Sequence, residues 1–299
     1  MTSVPQWSVE DLLALPPENT RLVVTPSCRS LVSETLKFEM AEEPAAGETV
    51  VLVGGGVLMD QWKKLRIERG FKLVCVPSVF GSGAEVSSVI VLNAAVGKEI
   101  EMDDRFKPDA RVYWPALLDS VPEDQAKDAC GDVWSHALEA FISPLADQTV
   151  RCDLAELIQE LVETPISKDP IWFELSARAC ELQSRSSVGV IHGIAHTVEP
   201  LLNDARTFGH AALCSISLWP VLNFNRTHSE KWGELVQAHG LNESAIEQRL
   251  KELFDADRFA QVKALMPDHW KTILRDRCTR TNGVLVRPAH LAYFTDTVF

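Results

Sequence analysis

Short apolar runs, rich in β-branched residues, dominate the first third of the chain. They read RLVVT at residues 21–25, TVVLV at 49–53 and FKLVCV at 71–76, and each is followed by Pro or Gly. Continuous apolar runs of this length are typical of buried parallel strands. Between the second and third runs, residues 58–69 (LMDQWKKLRIER) carry apolar side chains at helical spacing. The pattern predicts a β-α-β unit with a run of glycines at its strand-to-helix turn.

Three further segments, residues 87–93, 96–102 and 110–113, are expected to form antiparallel or edge strands that close the α/β part. The pattern changes at Pro122, where Ser120 can cap a helix. Helical periodicity then continues almost to the C-terminus. We therefore expect an α/β N-terminal domain over residues 1–121 and an all-α C-terminal domain over residues 122–299. The predicted helices span residues 123–141, 149–163, 171–185, 192–202, 209–225, 231–238, 243–254, 259–266 and 269–277.

Composition and charge narrow the classes of function. The 299 residues are 46% hydrophobic, enough to bury a sizeable core, and the formal net charge is −13. An acidic chain without a Lys/Arg stripe disfavours nucleic acid and anionic membranes as partners. The seven cysteines form no Cys-x-x-Cys pair, which argues against a disulfide framework and a thiolate zinc site. No secretion signal is evident and no apolar run approaches ~20 residues, so we expect a cytoplasmic protein.

Aspartate and histidine residues recur at spacings that suit a metal ion. Asp132 and His136 are four residues apart, as are His192 and His196, so each pair would project from one face of a helix. With His210, they offer nitrogen and oxygen ligands that suit Fe(II) and Zn(II), and the absence of thiolate favours an ion with some hard character. Such an ion can polarise a carbonyl group as a Lewis acid. Any one of these histidines, taken alone, is more simply explained as a buried, hydrogen-bonded side chain.

Several segments resemble motifs of the iron-containing (group III) alcohol dehydrogenases. They are VLVGGGVLMDQWKK from residue 51, PSVFGSGAE from 77, KPDARVYWPALLDSVP from 107, GDVWSHALEAFIS from 131, HGIAHTVEPLL from 192, FGHAALCSISLWPVLNFN from 208 and LVRPAHLAYF from 285. The resemblance implies a dehydroquinate synthase-like fold, in which a truncated Rossmann-like parallel sheet precedes a helical domain. By it, His196 corresponds to a histidine beside nicotinamide and substrate that relays a proton. The metal ligands correspond to Asp132, His136, His192 and His210.

The resemblance also implies two cofactors. One is a metal ion, for which iron is favoured and zinc is the alternative. The other is a dinucleotide, NADPH or NADH. Gly54, Gly55 and Gly56 would bring backbone N–H groups to its pyrophosphate, and Asp60 occupies an acidic position typical of the family. The glycine triplet alone would equally suit an ordinary tight turn.

The nucleotide side departs from the family pattern. In the loop PSVFGSGAE, Ser78 and Ser82 keep hydroxyl groups at cofactor-binding positions of the family, whereas Val79 and Ala84 do not. One β-α unit, on the order of 30 residues, is missing before the glycine triplet. Pro26 stands where relatives often carry an aspartate that reads the ribose. Its loss suits either a dinucleotide with a 2′-phosphate or no dinucleotide at all.

These observations predict a metal-dependent alcohol dehydrogenase that acts mainly as an aldehyde reductase, transferring hydride between NAD(P)H and a small carbonyl substrate. Arg206, just before His210, suits an anionic substrate group, although a solvated loop charge explains it as well. The alternative function is a non-redox lyase, aldolase or hydratase that uses the metal after the dinucleotide site has decayed. An edge strand exposed by the shortened domain favours a homodimer.

Overall fold

The apolar runs of the first third form strands of one parallel sheet. The computed structural model describes residues 3–93, 98–202 and 204–299. The strands of this part of the chain are β1 (Gln6–Trp7), β2 (Thr20–Val24), β3 (Glu39–Met40), β4 (Thr49–Gly54), β5 (Lys72–Pro77), β6 (Val89–Asn93), β7 (Lys98–Met102) and β8 (Ala110–Val112). One sheet has the order β1-β8-β5-β4-β2-β3, and every pairing in it is parallel.

Helices follow the sheet, so the predicted fold class is confirmed. Those in the described residues are α1 (Val9–Leu13), α2 (Arg29–Thr35), α3 (Gly56–Arg69), α4 (Glu123–Ile142), α5 (Gln148–Glu163), α6 (Ile171–Ser184), α7 (Val190–Leu202), α8 (Ala205–Phe208), α9 (His210–His228), α10 (Lys231–Ala238), α11 (Glu243–Leu253), α12 (Ala256–Arg275) and α13 (Leu291–Asp296). None of them is both long enough and apolar enough to span a bilayer.

Contacts divide the chain into two compact units. The first comprises Met1–Pro122 and Lys168–Glu181, and the second comprises Glu123–Ser167 and Leu182–Phe299. The return of the chain to the first unit over Lys168–Glu181, which includes most of α6, was not predicted from the sequence.

Both faces of the parallel sheet are buried in the first unit. Because successive side chains of a strand point to opposite faces, Val51 and Val74 join one apolar cluster, whereas Leu52 and Cys75 join another. Met59 of α3 packs into the second cluster. Burial on both sides explains why these strands read as continuous apolar runs rather than as alternating patterns.

The predictions for the later strands were right for one pair and wrong for the third strand. β6 and β7 pair antiparallel, as expected, although residues 96 and 97 of the predicted second strand lie outside the described residues. β8 is not an edge or antiparallel strand, because it pairs in parallel with both β5 and β1. A strand of three residues carries too little pattern to distinguish an edge from a central position.

In the second unit, α4 is the central helix. Every residue from Asp128 to Ile142 is buried, and the helix packs chiefly against α9 and α5. A helix buried on all sides must place its polar side chains among those of its neighbours. α7 packs against α9 and α12, so α4, α7 and α9 are joined through shared contacts.

The helices of the second unit differ from the prediction most clearly at α12, while the short helices α8 and α13 were not predicted. Residues 259–266 and 269–277 were predicted as two helices, but α12 is continuous and contains Pro267. Proline usually kinks or ends a helix. Here Met266 and Trp270, on either side of it and four residues apart, are both buried, and their packing on one helical face stabilises the uninterrupted helix.

Candidate metal centre

α4 carries three buried polar side chains along one face. Asp132, His136 and Glu139 follow one another at intervals of four and three residues, which is the spacing of one helical face. Their exposed fractions are only 1%, 6% and 2%. Buried polar side chains are costly unless they find partners or a ligand. This face of α4 therefore depends on groups from neighbouring helices.

Glu139 connects α4 to the start of α7. Its Oε2 accepts hydrogen bonds from the backbone N–H of Gly189 and from Nδ1 of His192, both at 2.7 Å. Its Oε1 accepts a hydrogen bond of 2.6 Å from the N–H of Ile191. The N–H groups at a helix start have no partner within the helix, so this carboxylate caps α7 while it orients the imidazole. Nε2 of His192 is left as the nitrogen available to a ligand.

Burial and neighbouring side chains determine the protonation states of His192, Glu139 and Asp132. Burial lowers the pKa of His192 well below its ordinary value, and nearby His136 lowers it further. Burial raises the pKa of Glu139 to about 7, against the opposing effect of the N–H donors. Burial also raises the pKa of Asp132, but the surrounding imidazoles, His136 first, lower it by more, so this carboxylate is ionised at neutral pH. His192 is a neutral imidazole, the form that binds metal.

Donor atoms from three helices meet beside His192. The ligand atoms of Asp132 on α4, His192 on α7, and His210 and Cys214 on α9 all lie within 4.8 Å of one another. Among the described residues, the buried Nε2 of His192 has no hydrogen-bond partner. Such an unpartnered nitrogen is unusual in a folded protein. The donor set and the free lone pair fit a divalent metal ion.

His136 borders this group of four donors. Its ring centroid is 4.9 Å from that of His192, and its buried Nδ1 has no partner in the described part of the chain. His136 is not one of the four residues whose ligand atoms lie within 4.8 Å of one another. The structure thus groups three of the four predicted ligands, Asp132, His192 and His210. The role of His136 as a ligand stays a prediction.

His196 belongs to a second group that adjoins the first. Its Nδ1 is 3.2 Å from Oδ2 of Asp276, and the ligand atoms of His196, Asp276 and Cys278 lie within 4.8 Å of one another. Its ring stacks on that of His210, with centroids 5.4 Å apart. Burial raises the pKa of Asp276, but the hydrogen bond and charge of His196 lower it by more. The ionised carboxylate therefore fixes the orientation of the imidazole.

Four residues of this region were not predicted from the sequence: Glu139, Cys214, Asp276 and Cys278. A signal existed for two of them, since Cys214 follows His210 by four residues and Glu139 follows His136 by three. Asp276 had no such signal, because it follows the end of α12, far along the chain from its partner. Cys214 belongs to no Cys-x-x-Cys pair, so the cysteine pattern gave no sign of a single cysteine that a helix positions beside His210.

The residues predicted to bind a dinucleotide lie in the first unit. Gly54 ends β4, Gly55 caps α3 and Gly56 is the first residue of α3, so the predicted strand-to-helix turn is present. A Cβ atom at Gly56 would lie 3.0 Å from Cβ of Ser82, so a side chain at this position would require Ser82 to shift. The N–H of Ser78 donates to the carbonyl of Gly54 at 3.0 Å. The two loops therefore meet at the carboxyl ends of β4 and β5, the edge where parallel sheets bind ligands.

Two other predicted residues, Asp60 and Arg206, occupy positions that do not by themselves indicate the predicted roles. Asp60 is buried, with Oδ1 3.3 Å from Nζ of the fully buried Lys63 and Oδ2 accepting from the N–H of Val91 at 2.9 Å. Its contact with Val91 joins α3 to β6. Arg206 is exposed on α8. The cofactor role of Asp60 and the substrate role of Arg206 stay predictions.

The chain is similar to known proteins both in sequence and in fold. The chain is 26% identical to maleylacetate reductase 2 of Cupriavidus pinatubonensis over 195 residues, which cover 62% of this chain and 53% of that protein. It is 27% identical to 1-propanol dehydrogenase PduQ of Salmonella typhimurium over 231 residues, 71% of this chain and 61% of that protein. The matches thus span between half and two thirds of each relative. No family model matches the chain.

The fold resembles that of a solved iron-containing alcohol dehydrogenase from Thermococcus thioreducens. The TM-score is 0.70 at 19% identity, and the match covers 92% of this chain and 91% of the other. The resemblance to iron-containing alcohol dehydrogenases that the motifs indicated is therefore confirmed.

Proposed function

We propose that this chain, which has the fold of the iron-containing alcohol dehydrogenases, is a metal-dependent alcohol dehydrogenase that works mainly as an aldehyde reductase with NADH or NADPH. The observation that carries the proposal is the buried Nε2 of His192, which has no partner among the described residues and lies beside Asp132 and His210. Glu139 holds the imidazole in this orientation.

The ion would be held by the residues predicted from the sequence, Asp132, His136, His192 and His210. When bound, a divalent ion supplies Lewis acidity, which polarises a carbonyl group. Glu139 supports this arrangement from outside the ligand set, because it fixes the tautomer of His192 with the proton on Nδ1. Iron and zinc both suit nitrogen and carboxylate ligands.

His196 and Asp276 would handle the proton of the reaction. Asp276 accepts from Nδ1 of His196, which leaves Nε2 of that imidazole to hold or give up a proton. Because Asp276 is ionised, it also stabilises the imidazolium that forms when His196 takes a proton. His196 is buried, with only 4% of its surface exposed, so bulk water does not compete freely for this transfer.

The dinucleotide would bind the glycine turn of the first unit. Gly55 and Gly56 open α3, where backbone N–H groups without helical partners suit a pyrophosphate. The hydroxyl groups of Ser78 and Ser82 would add donors from the adjacent loop.

For the substrate we propose a small aldehyde, in line with a relative named 1-propanol dehydrogenase, with Arg206 available for an anionic group. A cytoplasmic location and a homodimer are further parts of this proposal.

A non-redox metalloenzyme is the second candidate function. It is favoured by the contacts of Asp60, whose carboxylate is occupied by Lys63 and Val91. It is favoured as well by the short connection between β2 and β4, in which the described elements are a 3-10 helix (Pro26–Cys28), α2 and the two-residue β3.

Turnover of propanal tests the proposal. Metal-free protein would be loaded with Fe(II) or Zn(II), and oxidation of NADH or NADPH would be followed by nicotinamide absorbance. We expect metal-dependent oxidation that Asp132→Asn abolishes. Asp257→Asn, a matched change on the exposed surface of α12, should keep it. Equal oxidation of the nicotinamide with and without metal would contradict the proposal. Metal-dependent consumption of carbonyl substrates without any nicotinamide oxidation would contradict it as well and would support the non-redox alternative.

A further inference from the structure

The geometry points to Cys214 as a thiolate ligand of the metal ion, and to zinc as the ion that this site selects. This inference rests on the proposed function, because it concerns the same ion. It goes beyond the ligand set predicted from the sequence, which contains imidazole and carboxylate groups only.

The distances around Cys214 are those of ligands that share an ion. Two ligands bonded to zinc at ~2.0–2.3 Å can be at most ~4.6 Å apart, and a sulfur and a nitrogen in tetrahedral arrangement are about 3.6 Å apart. Sγ of Cys214 is 3.6 Å from Nε2 of His210. Asp132, His192, His210 and Cys214 have ligand atoms within 4.8 Å of one another. The four donors therefore need little movement to surround one ion.

A second observation points to a ligand at this place. Nε2 of His192 is buried and has no hydrogen-bond partner in the described part of the chain. A hydrogen bond between Cys214 and His210 would explain the position of the sulfur, but it would leave this nitrogen unpartnered. An ion bound by the four donors accounts for both features.

The packing of α4 against α9 brings Cys214 to the site. A Cβ atom at Gly131 would collide with Ser215 on α9, so only glycine permits this close approach. Gly131 directly precedes Asp132, and Ser215 directly follows Cys214. The contact between the two small residues thus places a carboxylate and a sulfur side by side.

Charge balance favours the thiolate. A divalent ion held by Asp132 and three neutral imidazoles would leave the ligand set with a net charge of about +1, which the Glu139 carboxylate balances only from behind His192. With the thiolate of Cys214 added to the carboxylate of Asp132, the two negative charges balance the ion. The thiol gives up its proton to solvent as the sulfur–metal bond forms, with no change in oxidation state.

Thiolate ligation also bears on which ion binds. Soft sulfur ligands select zinc among the divalent ions that suit imidazole and carboxylate, and mixed Cys/His ligand sets are typical of zinc. Iron is therefore expected to bind more weakly than zinc at this site, in contrast to the iron favoured by the sequence resemblance.

Cobalt titration tests the inference. Co(II) would be added to metal-free protein, absorbance would be recorded in the near ultraviolet, where thiolate-to-cobalt charge transfer absorbs, and Zn(II) would then displace the cobalt. The variants are Cys214→Ala and Cys214→Ser. Cys278→Ala tests the neighbouring thiol. Cys130→Ala is the matched control, because Cys130 is also buried but contacts the carbonyl of Ser167 instead of the donor group.

We expect the charge-transfer band in wild type, Cys130→Ala and Cys278→Ala, and its loss in both Cys214 variants. Zinc affinity in these two variants should fall by more than the roughly 10- to 100-fold typical of changes outside the ligand set. Cobalt binding without the band, or a band that Cys278→Ala removes instead, would overturn the role of Cys214 but leave the metal site standing. Absence of any cobalt or zinc binding would overturn the metal-dependent function as well.

Discussion

Glu139 is the residue through which the fold of the second unit and the metal centre are most tightly linked. It accepts hydrogen bonds from the N–H of Gly189, the N–H of Ile191 and Nδ1 of His192. We predict that Glu139→Gln weakens metal binding and destabilises the metal-free protein, and that Glu139→Ala fails to give a stable fold.

The size of each effect depends on how many hydrogen-bond donors the substitution leaves without an acceptor. In Glu139→Gln, the amide oxygen can replace the carboxylate oxygen that accepts two hydrogen bonds, and the amide nitrogen then faces the remaining N–H. One orphaned buried donor costs about 1–3 kcal/mol of folding free energy. A neutral partner for His192 should weaken metal binding by roughly 10- to 100-fold, or about 1.4–2.7 kcal/mol. Glu139→Ala orphans all three donors, about 3–9 kcal/mol, which approaches the whole stability of a typical domain, about 5–15 kcal/mol.

Two assays separate these effects. Urea denaturation of the metal-free proteins gives the free energy of unfolding, and a competition titration with a chromophoric chelator gives zinc affinity. Glu156→Gln, at an exposed position of α5, is the matched control and should change neither quantity. If Glu139→Gln keeps both wild-type stability and wild-type affinity, the account of Glu139 as the residue that orients His192 is wrong.

Three further predictions concern other parts of the molecule. Asp276→Asn should lower kcat roughly 10- to 100-fold with metal content unchanged, because only the orientation of a general acid–base group is lost; an unchanged pH–rate profile would refute this role. Burial raises the pKa of Glu85 from 4.5 to about 7, so the folded state keeps a proton there that the unfolded state loses. Stability should therefore fall as the pH rises from about 4.5 to about 7, and Glu85→Gln should flatten this decline in denaturant titrations; an equally steep decline would contradict it. Gly131→Ala should lower Tm by overpacking against Ser215, worth about 1–3 kcal/mol, and adding Ser215→Gly should recover part of the loss; additive effects of the two changes would show that they do not meet.

The central strands and most helices could be predicted because the positions that they bury carry apolar residues in a recognisable pattern along the sequence. β2, β4 and β5 are buried on both faces and read as unbroken apolar runs. The two-residue strands β1 and β3 are too short to show any pattern. The position of β8 inside the sheet and the continuity of α12 across Pro267 depend on contacts with distant residues, which a local pattern does not contain.

In the metal centre, too, residues that local spacing indicates could be predicted, whereas residues brought in by contacts between distant segments could not. The Asp132–His136 and His192–His196 pairs could be found because helical spacing brings both members of a pair to one face. Cys214 has that spacing from His210, but a thiol alone gives no reason to expect a metal ligand. Asp276 reaches His196 across 80 residues of sequence, and only the packing of α12 against α7 brings them together.

Dinucleotide binding tests the proposed oxidoreductase most directly. Zinc- or iron-loaded protein would be titrated with NADH and NADPH in separate anaerobic runs, with tryptophan quenching and energy transfer to the nicotinamide as the signals. The account predicts saturation in the micromolar range with one of them, a binding free energy of about −7 to −8 kcal/mol. No binding of either dinucleotide up to ~1 mM, weaker than about −4 kcal/mol, would contradict it and favour a non-redox reaction at the same metal centre.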